Sequence, residues 1–170
     1  MSSASESNAR PKKRIFFFFV ALDEALAPYV EGALLEAVGS RGRASLVVSG
    51  GSTPRGFFKC LADKPLPWQK IEITLADERW VPVDDPDSTE WQLRTLLPEQ
   101  ILDGFLSLRG AGDDAVAQVA ILNTRLAEQP PCDVVLRGMG TDGHTASLFP
   151  DAVQLSEGLD ITNPKACLVV

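Results

Sequence analysis

The chain contains one histidine, His144, and imidazole is the side chain best suited to move a proton near neutral pH. The six residues before His144 include three glycines, and Asp142 lies two residues before it. A lone histidine is more often a surface residue or a hydrogen-bonded core residue than a catalyst. The glycines favour the functional interpretation, because they let the backbone turn sharply and approach a ligand closely. We therefore predict His144 as a general base, with Asp142 orienting the imidazole or placing charge beside it.

A second polar segment reads Ser-Gly-Gly-Ser-Thr-Pro over residues 49–54. Its backbone N–H groups and hydroxyls precede a predicted helix, an arrangement that can bind a phosphate or an oxyanion. The predicted contacts are Gly50, Gly51, Ser52 and Thr53. On local sequence alone, an ordinary strand-to-helix turn explains the segment equally well. It lacks the Gly-Lys-Ser/Thr ending of a P-loop and the G-x-G-x-x-G spacing of a dinucleotide site.

A third segment, residues 77–79, places two carboxylates beside one guanidinium. Arg79 could bind phosphate through two parallel hydrogen bonds, and Asp77 could position the histidine or a substrate hydroxyl. A solvated ion pair is the alternative interpretation. Three further cations lie near these segments and could add positive potential, although each alone is typical of a surface charge: Arg55, Lys59 and Arg137.

The elements that must position these segments are apolar runs alternating with helical patterns. Predicted strands cover residues 14–20, 44–48, 71–75, 105–108, 132–136 and 166–170. Predicted helices cover residues 23–38, 54–61 and 115–127, with two more after Ser88 and from about Thr145. This alternation indicates an α/β fold, a Rossmann-like, open and mostly parallel sheet flanked by helices. Each polar segment follows a strand, so all three should meet at the carboxyl edge of the sheet.

Local signals also place boundaries. Asp23 is predicted as an N-cap, Gly39 and Gly42 as helix ends, and Ser88 as the N-cap of a later helix. We expect residues 1–13 to form a disordered tail and residues 14–170 to form a single catalytic domain. The sequence stops inside an apolar run, so we expect the fold to lack its C-terminal portion.

Composition limits the possible partners. The 170 residues carry a net charge of −7, which argues against non-specific nucleic-acid binding. No stretch is long enough to span a membrane. The cysteines lie far apart and show neither a disulfide framework nor zinc spacing. A basic and then apolar start resembles a short secretory signal, but Asp23 and Glu24 interrupt it. We therefore predict a cytoplasmic protein that binds neither nucleic acid nor membrane and holds no metal.

Taken together, residues 49–54 and 77–82 and the stretch Gly-Met-Gly-Thr-Asp-Gly-His-Thr-Ala-Ser-Leu-Phe-Pro at residues 138–150 resemble the signature blocks of the 6-phosphogluconolactonases. The resemblance implies the fold shared with glucosamine-6-phosphate deaminases, ribose-5-phosphate isomerases and CoA-transferases. It implies hydrolysis of 6-phospho-D-glucono-1,5-lactone in the oxidative pentose phosphate pathway, without a cofactor. His144 would be the base, Asp142 and Asp77 would position groups, and Arg79 and Gly143 would join the 50–53 loop in binding substrate.

Two alternatives stay open at this point. Glucosamine-6-phosphate deaminases share a Gly-rich loop, an Asp-Glu pair and Asp-Gly-His, but Arg79 and residues 145–150 follow the lactonase pattern. A non-catalytic sugar-phosphate-binding protein is the other alternative. Thr89 replaces an asparagine common in the family, and a phosphate-binding cation from a later portion of the relatives is not in this sequence. We expect a monomer or a weak homodimer.

Overall fold

The computed structural model describes residues 19–110, 112–127, 129 and 132–170. Four parallel strands form one sheet in the order β3-β2-β1-β4: β1 (Ala44–Val48), β2 (Ile71–Leu75), β3 (Phe105–Leu106) and β4 (Val134–Leu136). The α-helices are α1 (Phe19–Arg41), α2 (Arg55–Ala62), α3 (Thr89–Leu96), α4 (Ala115–Ala127) and α5 (Leu155–Leu159), and short 3₁₀ helices cover Trp68–Lys70 and Glu99–Ile101. The predicted α/β class with a parallel sheet is confirmed.

The strand register aligns the carboxyl ends of three strands. Val48 at the end of β1 pairs with Leu75 of β2 on one side and with Leu136 of β4 on the other. Beyond these pairs, Ala76 N donates to Val48 O at 2.8 Å and Ser49 N donates to Leu136 O at 3.0 Å. The three polar segments therefore leave the sheet side by side.

The core is formed by the sheet, the first two helices and the segment from α3 to Leu102. Leu34 of α1 and Phe57 of α2 are buried to 0% and 1% exposure, and both helices belong to the same apolar cluster as β1 and β2. The buried positions of α1 recur three or four residues apart, as expected for one face of a helix: Ala27, Val30, Leu34 and Ala37. This packing fixes the strand ends from which the polar loops leave.

Several predicted boundaries are confirmed. β1, β2 and α4 have the predicted bounds, and Ser88 caps α3 by accepting from Trp91 N at 3.1 Å. The helix after residue 54 is shifted by one residue, and β3 and β4 are shorter than predicted. Gly42 follows α1 with a φ of +77°, which suits the glycine that ends a helix.

The start of the chain differs from the prediction. Residues 14–18 of the predicted first strand lie outside the described residues, but Phe19 and Val20 are helical. Asp23 consequently lies inside α1 and is not its N-cap, and Gly39 is also inside the helix. A short apolar run fits a buried strand or a buried helix equally well. Within the described residues, the helix that contains Asp23 extends back to Phe19. The predicted tail over residues 1–13 lies outside the described residues.

Two later predictions were also wrong. No helix begins at Thr145: residues 145–148 form a turn with a Thr145–Leu148 bridge, and the next helix is α5. Ala146 has a φ of +50°, outside the right-handed helical region, and Pro150 could not donate an intrahelical hydrogen bond. Residues 166–170 are not a strand. The backbone of Cys167 instead exchanges two hydrogen bonds with the side chain of Asn123, at 3.0 and 2.8 Å. Within the described residues, no helix has the length and apolar character needed to cross a bilayer.

Candidate functional site

One cavity of about 500 Å³ lies at the carboxyl edge of the sheet and is lined by all three polar segments. The prediction that these distant loops meet at one edge is therefore confirmed. Six of the predicted site residues line the cavity: Gly50, Gly51, Thr53, Asp77, Arg79 and His144. The other three, which are Ser52, Asp142 and Gly143, lie in the same loops but do not line it.

The His144 imidazole is held from one side by a carboxylate. Asp142 Oδ1 lies 2.5 Å from His144 Nδ1 and also accepts from the His144 backbone N–H at 3.2 Å. A carboxylate at Nδ1 favours the neutral tautomer that carries its proton there and keeps the lone pair at Nε2. Among the described residues, Nε2 has no hydrogen-bond partner. The ring also packs against Phe149, with centroids 4.7 Å apart. This arrangement presents an oriented proton acceptor.

The same two contacts keep Asp142 ionised. The pKa of Asp142 is lowered, first by the hydrogen bond from the His144 backbone N–H and then by the bond to the imidazole. The carboxylate is exposed and stands behind the imidazole, because His144 lines the cavity and Asp142 does not. The position of Asp142 therefore indicates that it orients the histidine and does not contact a ligand directly.

Glycine is required where the loop folds back on the imidazole. A Cβ atom at Gly140 would lie 2.2 Å from His144 Cε1 and 2.3 Å from Nδ1, far inside contact distance. Gly140 N donates to His144 O at 2.8 Å, and Gly143, with a φ of +89°, closes the turn between them. The number of glycines in this segment predicted a close approach of the backbone, but no local signal distinguishes Gly140 from the others. Gly143 shapes the backbone, and its predicted contact with substrate stays a prediction.

The two adjacent carboxylates in the second segment have different surroundings. Glu78 accepts four hydrogen bonds, from the Arg79, Thr89 and Glu90 backbone N–H groups and from Ser88 Oγ, at 2.6 to 3.1 Å. Its oxygens are occupied in fastening this loop to the N-terminus of α3. Asp77, by contrast, lines the cavity. Of the pair, Asp77 is therefore the carboxylate available to a ligand.

Two arginines supply the positive charge among the residues that line the cavity, Arg79 and Arg137. Arg137 donates from Nη2 to Thr145 O at 3.3 Å, whereas Arg79 forms no ion pair among the described residues. Arg55 and Lys59, the other predicted cations, do not line the cavity. The cationic side chains at the cavity thus come from the second and third loops.

The loop at residues 49–54 rests on the start of α3. Gly51 N donates to Gln92 Oε1 at 3.2 Å, so that N–H already has an acceptor. A Cβ atom at Gly50 would lie 2.5 Å from Thr89 Cγ2, which means that Thr89 fills the space below the loop. Ser49 Oγ is buried without a partner among the described residues, an energetic cost that a polar ligand group could offset.

Thr89 and Gln92 line the cavity but were not predicted as site residues. The sequence did carry a signal for them, since both lie in the first turns of the helix that Ser88 was predicted to cap. What it did not show is that this helix packs under the Gly-rich loop. Thr89, which the resemblance predicts to replace a family asparagine, lies at the cavity wall.

Comparisons with known proteins show the family of the chain. Residues 20–170 match the family model described as glucosamine-6-phosphate isomerases/6-phosphogluconolactonase. The chain is 44% identical over 156 residues to a 6-phosphogluconolactonase of Rhizobium meliloti strain 1021, covering 88% of this chain and 66% of that protein. The solved 6-phosphogluconolactonase of Shewanella baltica OS155 is 41% identical with a TM-score of 0.80, covering 86% of this chain and 64% of that one.

A solved monomeric glucosamine-6-phosphate deaminase shares the fold, with a TM-score of 0.70 at 22% identity, over 79% of this chain and 58% of that one. The chain spans less than two thirds of the length of each of these relatives. The family match covers most of the chain and includes all three loops of the cavity. This chain therefore belongs to the family of glucosamine-6-phosphate isomerases and 6-phosphogluconolactonases.

Proposed function

We propose that the protein hydrolyses 6-phospho-D-glucono-1,5-lactone to 6-phosphogluconate. The observation that carries the proposal is the His144–Asp142 pair at the cavity, in which Nδ1 is bonded and Nε2 has no partner among the described residues. The names of the 41–44% identical relatives support the same reaction. The reaction belongs to the oxidative branch of the pentose phosphate pathway.

In the proposed mechanism, His144 Nε2 takes a proton from water while the water oxygen attacks the C1 carbonyl carbon. The ionised Asp142 stabilises the imidazolium that forms, as a carboxylate does in hydrolytic triads. When the bond between C1 and the ring oxygen breaks, the imidazolium returns its proton to that oxygen. The products are a hydroxyl and a carboxylic acid, which ionises. One water is consumed, and the histidine ends in its starting state.

The remaining cavity groups are assigned to binding. Arg79 would hold the phosphate or the developing oxyanion, together with the 50–53 loop in front of α2. Gly51 N is already bonded to Gln92, so the contribution of that loop would come chiefly from Gly50 and Thr53, which line the cavity. Asp77 would accept from a sugar hydroxyl. Because the chain carries a net charge of −7, binding of the anionic substrate depends on local cations such as Arg79.

The deaminase alternative has support from the fold but not from the loop residues. The family model covers both activities, and the structural match to the deaminase at 22% identity shows the fold alone. Arg79 after the Asp-Glu pair and the Thr-Ala-Ser-Leu-Phe-Pro stretch after His144 favour the lactonase. The proposal also includes one catalytic domain over residues 14–170, a monomer or weak homodimer, and a cytoplasmic location.

The test is an assay of 6-phosphogluconolactone hydrolysis beside glucosamine 6-phosphate deamination, with spontaneous lactone opening subtracted. We expect the protein to hydrolyse the lactone and not to deaminate glucosamine 6-phosphate. His144→Ala should lower kcat/KM by about 10²- to 10⁴-fold, the usual contribution of a general base. Deamination without lactone hydrolysis would overturn the proposal, and near wild-type activity of His144→Ala would overturn the assigned base.

A further inference from the structure

One hydrogen bond joins the second polar loop to the third. Ser147 Oγ donates to Asp77 Oδ2 at 2.7 Å, between residues 70 positions apart in the chain. Among the described residues, it is the only hydrogen bond made by the Asp77 carboxylate. The neighbouring Glu78 is occupied by four donors, so it cannot replace Asp77. The direction of the Asp77 carboxylate in the cavity therefore depends on Ser147.

The turn that carries Ser147 is fastened at several points. Leu148 N donates to Thr145 O at 3.1 Å, and Thr145 Oγ1 donates to Gly138 O at 3.0 Å. Between them, Ala146 has a φ of +50°, a conformation that residues with a Cβ rarely adopt. Surrounding contacts must hold such a backbone in place. The hydroxyl of Ser147 is thus presented by a constrained turn and not by a freely rotating loop.

This turn begins at the residue after His144. The bond from Ser147 therefore links the loop that carries the proton acceptor to the loop that carries Asp77. Ser147 itself does not line the cavity, and its hydroxyl faces a carboxylate and not the imidazole. These features exclude it as a nucleophile activated by His144 in this structure, and they leave a role that acts through Asp77.

We propose that Ser147 is a positioning residue that fixes the Asp77 carboxylate toward the bound lactone and in register with His144. The role rests on the proposed function, because it concerns the orientation of substrate for the same hydrolysis. Groups that orient a substrate affect the rate steeply, and a misplacement of about 1 Å can cost about a hundredfold. The hydroxyl is thus expected to matter for turnover more than for binding of the phosphate.

The experiment is a double-mutant cycle on the full chain with 6-phosphogluconolactone. Ser147→Ala should lower kcat by about ten- to a hundredfold with little change in KM, because Arg79, which is assigned to the phosphate, is untouched. Ser147→Thr keeps the hydroxyl and should restore most of the activity. In an Asp77→Ala background, Ser147→Ala should have almost no further effect, since residues that act through one another are not additive.

A matched control removes a serine hydroxyl bonded to an aspartate at the opposite edge of the sheet. Ser45 Oγ lies 3.3 Å from Asp133 Oδ2, so Ser45→Ala tests the general effect of losing such a bond. It should affect stability but not kcat. Equal losses from Ser147→Ala in both backgrounds, or a loss confined to stability, would overturn the role of Ser147 alone. A parental chain without lactone turnover would overturn the proposed function and this role with it.

Discussion

At the scale of single residues, neighbouring groups of the same chemistry have separate roles because their surroundings differ. Asp77 and Glu78 are adjacent carboxylates, yet Glu78 is saturated by donors at the start of α3 while Asp77 lines the cavity. His144 acquires its direction from Asp142, which binds the ring and the backbone of the same residue. The type of a residue indicates which reactions its side chain could take part in. Its hydrogen-bond partners determine whether that side chain is available to a ligand.

Titration of Asp142 gives a direct test of this pairing. Its lowered pKa means that ionised Asp142 stabilises the folded state above its unfolded pKa, and that this stabilisation is lost as pH falls through the folded pKa. We expect His144→Ala to raise the pKa of Asp142 only in part, because the backbone N–H of residue 144 is the larger cause and remains. Carboxyl-carbon NMR titration measures the midpoint.

Asp160 provides the control for this titration. Its pKa is lowered by hydrogen bonds from Thr162, first from the hydroxyl and then from the backbone N–H, so it does not depend on His144. We expect the Asp160 midpoint to be the same in the parental chain and in His144→Ala. A parental Asp142 that titrates at the ordinary value for aspartate would contradict the pairing.

At the scale of elements, two glycines make room for side chains brought in by other segments or other parts of the loop. Gly140 leaves space for the imidazole of His144, and Gly50 leaves space for Thr89 at the start of α3. The strand ends set these approaches, because β1, β2 and β4 are held in one register. The elements that carry the loops were predictable from apolar periodicity, whereas these close contacts were not.

Alanine at Gly140 should therefore disable the histidine. The added Cβ would lie 2.2 to 2.3 Å from two ring atoms, so the imidazole must move away from its place beside Asp142. We expect kcat/KM for lactone hydrolysis to fall by about a hundredfold, the typical cost of such a displacement. Gly39→Ala adds the same methyl group in α1, outside the cavity and with nothing within 4 Å, and should change the rate little. Similar losses in both variants would argue against the steric explanation.

At the scale of the whole molecule, the cavity depends on the apolar core, because Phe57 belongs to the core and also lines the cavity. Helix α1 packs against both α2 and β1. The Gly-rich loop at residues 49–54 connects β1 to α2. Leu22 and Leu26 of α1 also line the cavity. A helix that was predicted to begin only at Asp23 thus supplies part of the cavity wall.

Two adjacent leucines of α1 test how much this helix contributes to stability. Leu34 is fully buried and Leu35 is 44% exposed. We expect Leu34→Ala to lower the free energy of unfolding by about 2 to 5 kcal/mol, through lost burial and the cavity left behind. Leu35→Ala should cost less than about 1 kcal/mol. Urea unfolding measures both values, and equal losses would show that α1 does not pack as described.

The sequence by itself determined the chemistry of the loops and most of the elements that carry them. Strands β1 and β2 and helix α4 could be predicted because apolar periodicity and turn residues are local signals. The meeting of the three loops also followed, since parallel strands share a carboxyl edge. His144, Asp77 and Arg79 were found in this way, and all three line the cavity.

The tertiary structure decided the contacts between segments distant along the chain. It placed Ser147 on Asp77 and Thr89 under Gly50. It also turned residues 145–148 away from a helix and extended α1 upstream of Asp23. None of these features has a periodic or local signal, because each depends on which surfaces the strand register brings together and on the space left between them.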